Sequence, residues 1–151
     1  PYLYQKSTTT MEIKILRGEQ LTSSIQQQVT ELYKQLSTDI VQLSLKEILE
    51  EKDNMALVVC KEEKQIVGIA MMAMYKVISG HKGMIEDVVV DQSHRGKGIG
   101  RKLMGKLLEE GRNRSLDEIL LCSGHHRTPG IPVYKSLGFQ LKNSGLYRLV
   151  L

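Results

Sequence analysis

The run MEIKIL, from Met11 to Leu16, alternates apolar and polar residues with a period of two and so predicts a short strand. The period then lengthens. Leu21, Ile25, Val29, Leu32 and Leu36 recur every three or four residues, which predicts a helix from Gln20 to Leu36. Ser44, with Glu47 three positions on, has capping-box spacing ahead of Ile48 and Leu49, so a second, short helix is expected to reach about Lys52. Ala56 to Cys60 and Gln65 to Val77 are strand candidates joined through the charged turn KEEK, hence a hairpin. Within the second strand, Met71, Met72 and Met74 suit core filling. Met84 to Val90 predicts the next strand, and Ile99, Leu103, Met104, Leu107 and Leu108 line one face of a helix from about Gly98 to Arg112. Glu118 to Cys122 reads as another strand. Thr128 and Pro129 form an N-cap with proline at the first helical position, Gly138 stops that last short helix, and a closing pair of strands follows.

This order of elements predicts an α/β fold of the α+β kind in one domain over residues 11–151. The polar decapeptide PYLYQKSTTT ahead of Met11 is set apart as a leader or cloning remnant. At 151 residues and 41% hydrophobic content, one core is the natural outcome. The net charge of +4 suits an anionic ligand but falls far short of the basic stripes that bind nucleic acid. Cys60 and Cys122 both lie in apolar runs, so two buried free thiols and a reducing, cytoplasmic setting are expected. No apolar run approaches the roughly 20 residues of a membrane helix, so no membrane partner is expected.

The chemistry concentrates in VVVDQSHRGKGIGRKLM, Val88 to Met104. The glycines do not fit a P-loop, which needs GxxxxGK followed by serine or threonine, nor the dinucleotide pattern GxGxxG. What remains is a loop of small residues whose backbone N–H groups, from residue 95 to residue 100, can converge at the positive end of a helix. Arg95, Lys97 and Arg101 stand nearby, and together these make a cradle for a pyrophosphate.

Arg95-Gly96-Lys97-Gly98-Ile99-Gly100 matches the [QR]xxGx[GA] signature of the GNAT superfamily of N-acetyltransferases. VYKSLGF, Val133 to Phe139, resembles that family's second signature. The resemblance extends to the order of elements after Met11. It implies the GNAT fold, a mixed and mostly antiparallel sheet of about six to seven strands with about four helices, and acetyl-coenzyme A as co-substrate. It also implies that the loop Arg95, Gly96, Lys97, Gly98, Ile99, Gly100 and Arg101 binds the pyrophosphate. The pantetheine arm would pair with the backbone of Val88, Val89 and Val90 like an added strand. Arg127 stands where the family often has asparagine, seven residues before Tyr134, and is a further expected coenzyme contact; Gly130 replaces a common alanine.

Acyl transfer to an amine needs a proton acceptor, because an alkyl ammonium is mostly protonated at neutral pH. Glu86 and Asp87 are consecutive on the strand and should point to opposite faces, with Glu86 favoured as the base. The resemblance makes Tyr134 the general acid for the departing thiolate, and a strand N–H near Val88 would meet the oxyanion. His125 and His126 are adjacent and lack the i, i+4 spacing of helical metal ligands, so no metal is expected, and contact with substrate or coenzyme stays open.

The acceptor amine is not written in the sequence. MIEDVVVD is similar to glucosamine-phosphate acetyltransferases, which makes an aminosugar phosphate one candidate; peptide N-termini, lysines, polyamines and amino acids are others. A homodimer is compatible with the pattern. Two alternatives belong to other classes: an acyl-coenzyme A sensor without turnover, and a nucleic-acid-binding protein.

Overall fold

A computed structural model gives the fold and describes residues 9–124 and 129–151. Its elements are β1 (Met11–Ile15), α1 (Ser23–Tyr33), α2 (Leu45–Glu50), β2 (Met55–Glu62), β3 (Gln65–Val77), β4 (Gly80–Val90), α3 (Ile99–Asn113), β5 (Glu118–Leu121) and α4 (Gly130–Ser136). The first helix starts later than its apolar spacing suggests. Thr22 caps it by accepting a hydrogen bond from the Ile25 N–H at 3.2 Å, and Gly18–Gln20 form a separate 3-10 turn. Ser44 caps α2 through the Glu47 N–H, as its spacing predicts.

The five strands form one sheet in chain order, antiparallel from β1 to β4. Strand β5 joins β4 in parallel, as a strand that returns through a crossover helix must. Both faces of the sheet are covered. Val58, Cys60, Val67, Met72, Met74 and Ile85 pack on one side against Ile99, Leu103, Met104 and Leu107 of α3. On the other side Leu57, Val59, Ile69, Met71 and Val89 pack against Ile25, Val29 and Leu32 of α1 and Leu45 of α2. The methionine run therefore divides between the two cores, Met71 on one and Met72 with Met74 on the other.

Three expectations change. Among the described residues the sheet has five strands, and residues 140–151 carry no regular structure; Leu146, Tyr147, Leu149 and Val150 stand exposed instead of forming a closing pair. Strand propensity alone makes no ladder, because a strand also needs a neighbour of useful length and β5 offers only four residues. Cys60 is buried but Cys122, one residue past β5, is exposed. The last helix begins at Gly130 with Pro129 in the cap position, and Thr128 lies outside the described residues.

Candidate active site

The central feature is a bulge in β4. Ile69 pairs with Val89 and Met71 pairs with Glu86, so Asp87 and Val88 together oppose the single residue Ala70. Asp87 takes up the extra length with φ of 53°, in the left-handed region. Ile85, Val88 and Val90 keep their side chains on the α3 face, while Val89 points to the α1 face. The expected opposition of Glu86 and Asp87 is corrected by this bulge, because an extra residue cancels the two-residue alternation. Asp87 instead accepts a long hydrogen bond, 3.4 Å, from the Tyr33 hydroxyl on α1. The two carboxylates lie close enough to act on each other and on that phenol. Burial raises the Asp87 carboxyl above the ordinary range, against the opposing effect of the Tyr33 bond. Glu86 reaches the surface, yet partial desolvation raises its carboxyl, and the charge of Asp87 adds to this. Burial raises the Tyr33 phenol as well, with Asp87 and then Glu86 contributing.

The bulge also marks the end of sheet pairing on one side. The β4–β5 ladder runs from Lys82 with Glu118 to Ile85 with Leu121, which leaves the edge of β4 from Glu86 to Val90 without a β5 partner. An amide-bearing chain can pair with such an edge. The edge leads into the glycine loop, where Gly96 and Gly98 have φ of 80° and 77°. A Cβ at either glycine would meet no atom within 4 Å, so the backbone conformation, and not crowding, is what calls for glycine. Gly98 is the N-cap of the 15-residue helix α3 and supplies no side-chain acceptor to its first turn. The first-turn N–H groups, at the positive end of the helix dipole, therefore have no side-chain cap among the described residues. Arg95 folds back to donate from Nε to the Val90 carbonyl at 3.2 Å. Ile99 is buried in the core, so only its backbone can serve a ligand.

Arg101 donates from Nε to the Ser136 hydroxyl at 3.3 Å and so ties α3 to α4, which carries Tyr134. The Tyr134 ring packs on the α3-side core and leans back over the first turn of its helix. An added Cβ at Gly130 would lie 2.7 Å from the phenol oxygen, so glycine here is what makes room for the hydroxyl. Ser123, just beyond β5, has a buried hydroxyl with no hydrogen-bond partner among the described residues. Arg127, His125 and His126 lie outside the described residues.

The structure thus runs β4, from Glu86 to Val90, directly into the loop from Arg95 to Arg101, with the side chains of Val89 and Ile99 buried so that only their backbone is available. Sequence reasoning missed Tyr33, 54 residues from Asp87 in the chain, and the role of Gly130. Tyr33 had no local signal; the four-residue spacing from Gly130 to Tyr134 could have flagged the second.

The sequence profile described as "Acetyltransferase (GNAT) family" matches residues 19–139. The chain belongs to the GNAT acetyltransferase family. Among curated GNAT relatives, a glucosamine 6-phosphate N-acetyltransferase of Trypanosoma brucei brucei is 39% identical over 79 residues, covering 50% of this chain and 52% of that protein. An L-methionine sulfoximine/L-methionine sulfone acetyltransferase of Salmonella typhimurium is 29% identical over 84 residues, covering 55% of this chain and 49% of its own. The chain spans about half the length of the curated relatives it matches. A solved acetyltransferase from Trypanosoma brucei superposes with a TM-score of 0.77 at 26% identity, over 94% of this chain and all of that one. Among the described residues of this GNAT chain, no helix is long and apolar enough to cross a membrane.

Proposed function

We propose that the chain transfers the acetyl group of acetyl-coenzyme A to a primary amine by direct attack in a ternary complex. The observation that carries this reading is the β4 edge from Glu86 to Val90, without a β5 partner, running into a helix start that has no side-chain cap among the described residues and has glycines at φ of 80° and 77°. One surface then offers strand pairing to an amide-bearing arm and N–H groups to a pyrophosphate. Lys97 and the remaining guanidinium nitrogens of Arg95 and Arg101 add positive charge there, and Arg127 is a further proposed contact.

The carboxylates on the α1 side of β4 serve the amine. With raised proton affinity, Glu86 is suited to accept the ammonium proton, and the charge of Asp87 strengthens it as a base. A backbone N–H at the bulge near Val88 meets the oxyanion, and the Tyr134 phenol protonates the departing thiolate. In support of that role, Tyr134 is half-buried against the α3-side core, on a helix that Arg101 ties to α3 through Ser136.

The acceptor reading includes an aminosugar phosphate, supported by the relative from Trypanosoma brucei brucei, and an amino acid, supported by the relative from Salmonella typhimurium. A panel of amines, covering aminosugar phosphates, amino acids, peptides and polyamines, is assayed for coenzyme A release alongside calorimetry with acetyl-coenzyme A. Binding with acceptor-dependent release is expected. Binding without turnover on any amine would favour an acyl-coenzyme A sensor, and salt-dependent DNA affinity without coenzyme binding would favour a nucleic-acid-binding protein.

A further inference from the structure

His94 immediately precedes the glycine loop and lies between two carboxylates. Its Nδ1 is 2.8 Å from Asp91 Oδ2, and its Nε2 is in hydrogen-bonding contact with Glu62 Oε2. The imidazole is largely enclosed, with 14% of its side-chain surface exposed. Ser93 Oγ also lies 3.0 Å from Nδ1 and donates to Asp91 Oδ2. Ionised carboxylates only accept, so the imidazolium, with an N–H on each ring nitrogen, is the form that satisfies Glu62 and Asp91 together.

The partners come from three separate elements. Glu62 ends β2, and Asp91 follows β4 with its own N–H bonded to the Val67 carbonyl of β3 at 2.8 Å. Gln35, just past α1, donates from Nε2 to Asp91 Oδ1 at 2.8 Å and accepts from the Gln92 N–H at 2.9 Å. Asp91 also accepts from the Ser93 hydroxyl and the Ser93 N–H, and these bonds, the Ser93 hydroxyl first and then Gln35 and His94, hold its carboxyl well below the usual range. The chain entering Arg95 and Gly96 is therefore held by contacts to β2, β3 and the end of α1, and among the described residues His94 is the cation that joins Glu62 to Asp91. The charged groups facing it are Glu62, Asp91 and Lys97; the two acids favour its protonated form, Asp91 first, while burial and Lys97 oppose it.

We infer that His94, held as an imidazolium between Glu62 and Asp91, is a positioning residue that sets the glycine loop for its anionic ligand, and that losing this proton releases the loop. The coenzyme part of this inference rests on the reading proposed above. The sign follows from linkage. The folded chain keeps the His94 proton to higher pH than an unfolded one, so the clamp is complete below the ordinary histidine value, about 6.5. It is lost as pH rises through the raised folded value.

The test has two arms. In the free protein, an NMR titration follows the His94 ring signals together with the Gly96 and Gly98 amides. The glycine signals should move with the His94 midpoint, which should lie above the ordinary value and drop in Glu62→Gln, a change that keeps shape and removes one counter-charge. In the second arm, the dissociation constant of acetyl-coenzyme A is measured by calorimetry from pH 6 to 9. Wild type should weaken at alkaline pH, Glu62→Gln should weaken earlier, and His94→Gln should bind about tenfold more weakly at pH 6.5 with that pH step gone. Glycine amides that ignore the His94 titration, or a wild type and Glu62→Gln with the same midpoint, would overturn the inference. A wild type that binds no acetyl-coenzyme A would defeat the coenzyme reading, while the first arm still decides whether His94 sets the loop.

Discussion

Replacing Gly130 with alanine should separate the phenol of Tyr134 from the fold that holds it. The new methyl would stand 2.7 Å from the Tyr134 oxygen and 2.9 Å from the ring carbon bearing it. Ordinary non-bonded separation is roughly 3.5 Å, so the hydroxyl must move by about 0.8 Å. The ring cannot simply sink, because its other side packs on the α3-side core. Alanine is the better helix former, by at most about 1 kcal/mol, so α4 should be no less stable. Stability and turnover are then expected to move apart. Melting temperature should hold or rise slightly, acetyl-coenzyme A affinity should stay near wild type, and kcat should fall about 10- to 10²-fold, the scale of loss from a misplacement near 1 Å. Tyr134→Phe is the control, with an expected kcat loss on the order of 10²-fold from an interaction that matters mainly in the transition state. If both changes act through the hydroxyl, Gly130→Ala should cost almost nothing more in the Tyr134→Phe background. Steady-state kinetics on the four proteins measures this. Full activity in a folded Gly130→Ala, or an equal loss in both backgrounds, would refute the reasoning.

Gly98→Asp should keep the fold, because aspartate tolerates a φ of 77° better than most residues, yet weaken acetyl-coenzyme A by at least about tenfold in calorimetry, about 1.4 kcal/mol. Glu86→Gln should lower turnover by roughly 10²-fold near neutral pH and recover in part at higher pH, where free amine is abundant. Asp87→Asn should raise the melting temperature at pH 7, because the folded site disfavours the ionised carboxylate; the gain should shrink as pH falls through the raised folded value toward the ordinary one, and a pH-independent difference would contradict it. A thiol reagent should label Cys122 in the native protein and reach Cys60, whose thiol burial pushes up, only after unfolding.

What the sequence discloses follows from the range of the interactions. The hairpin of β2 and β3, the long amphipathic helix α3 and the cap at Ser44 are local patterns, and they appear within about two residues of their predicted limits or at the predicted cap. The β4 bulge is a property of two strands, visible only once Ile69 and Met71 are paired with Val89 and Glu86. Without it, strict alternation sends Asp87 to the wrong face. The clamp at His94 joins residues 32 positions apart across β2 and β4, and the Tyr33 contact spans a still longer gap, so neither leaves a trace in periodicity. Cys122 illustrates the opposite limit: an apolar run predicts a strand, but burial depends on what covers its end, and the ladder stops at Leu121.

The central claim is that acetyl-coenzyme A lies along the β4 edge and the glycine loop. Amide hydrogen exchange with and without acetyl-coenzyme A tests it most directly, because it reports where backbone N–H groups gain partners. Binding should slow exchange across residues 88–101 and leave β1, at the far edge of the sheet, unchanged. Saturable binding with protection elsewhere and none over residues 88–101 would contradict the account.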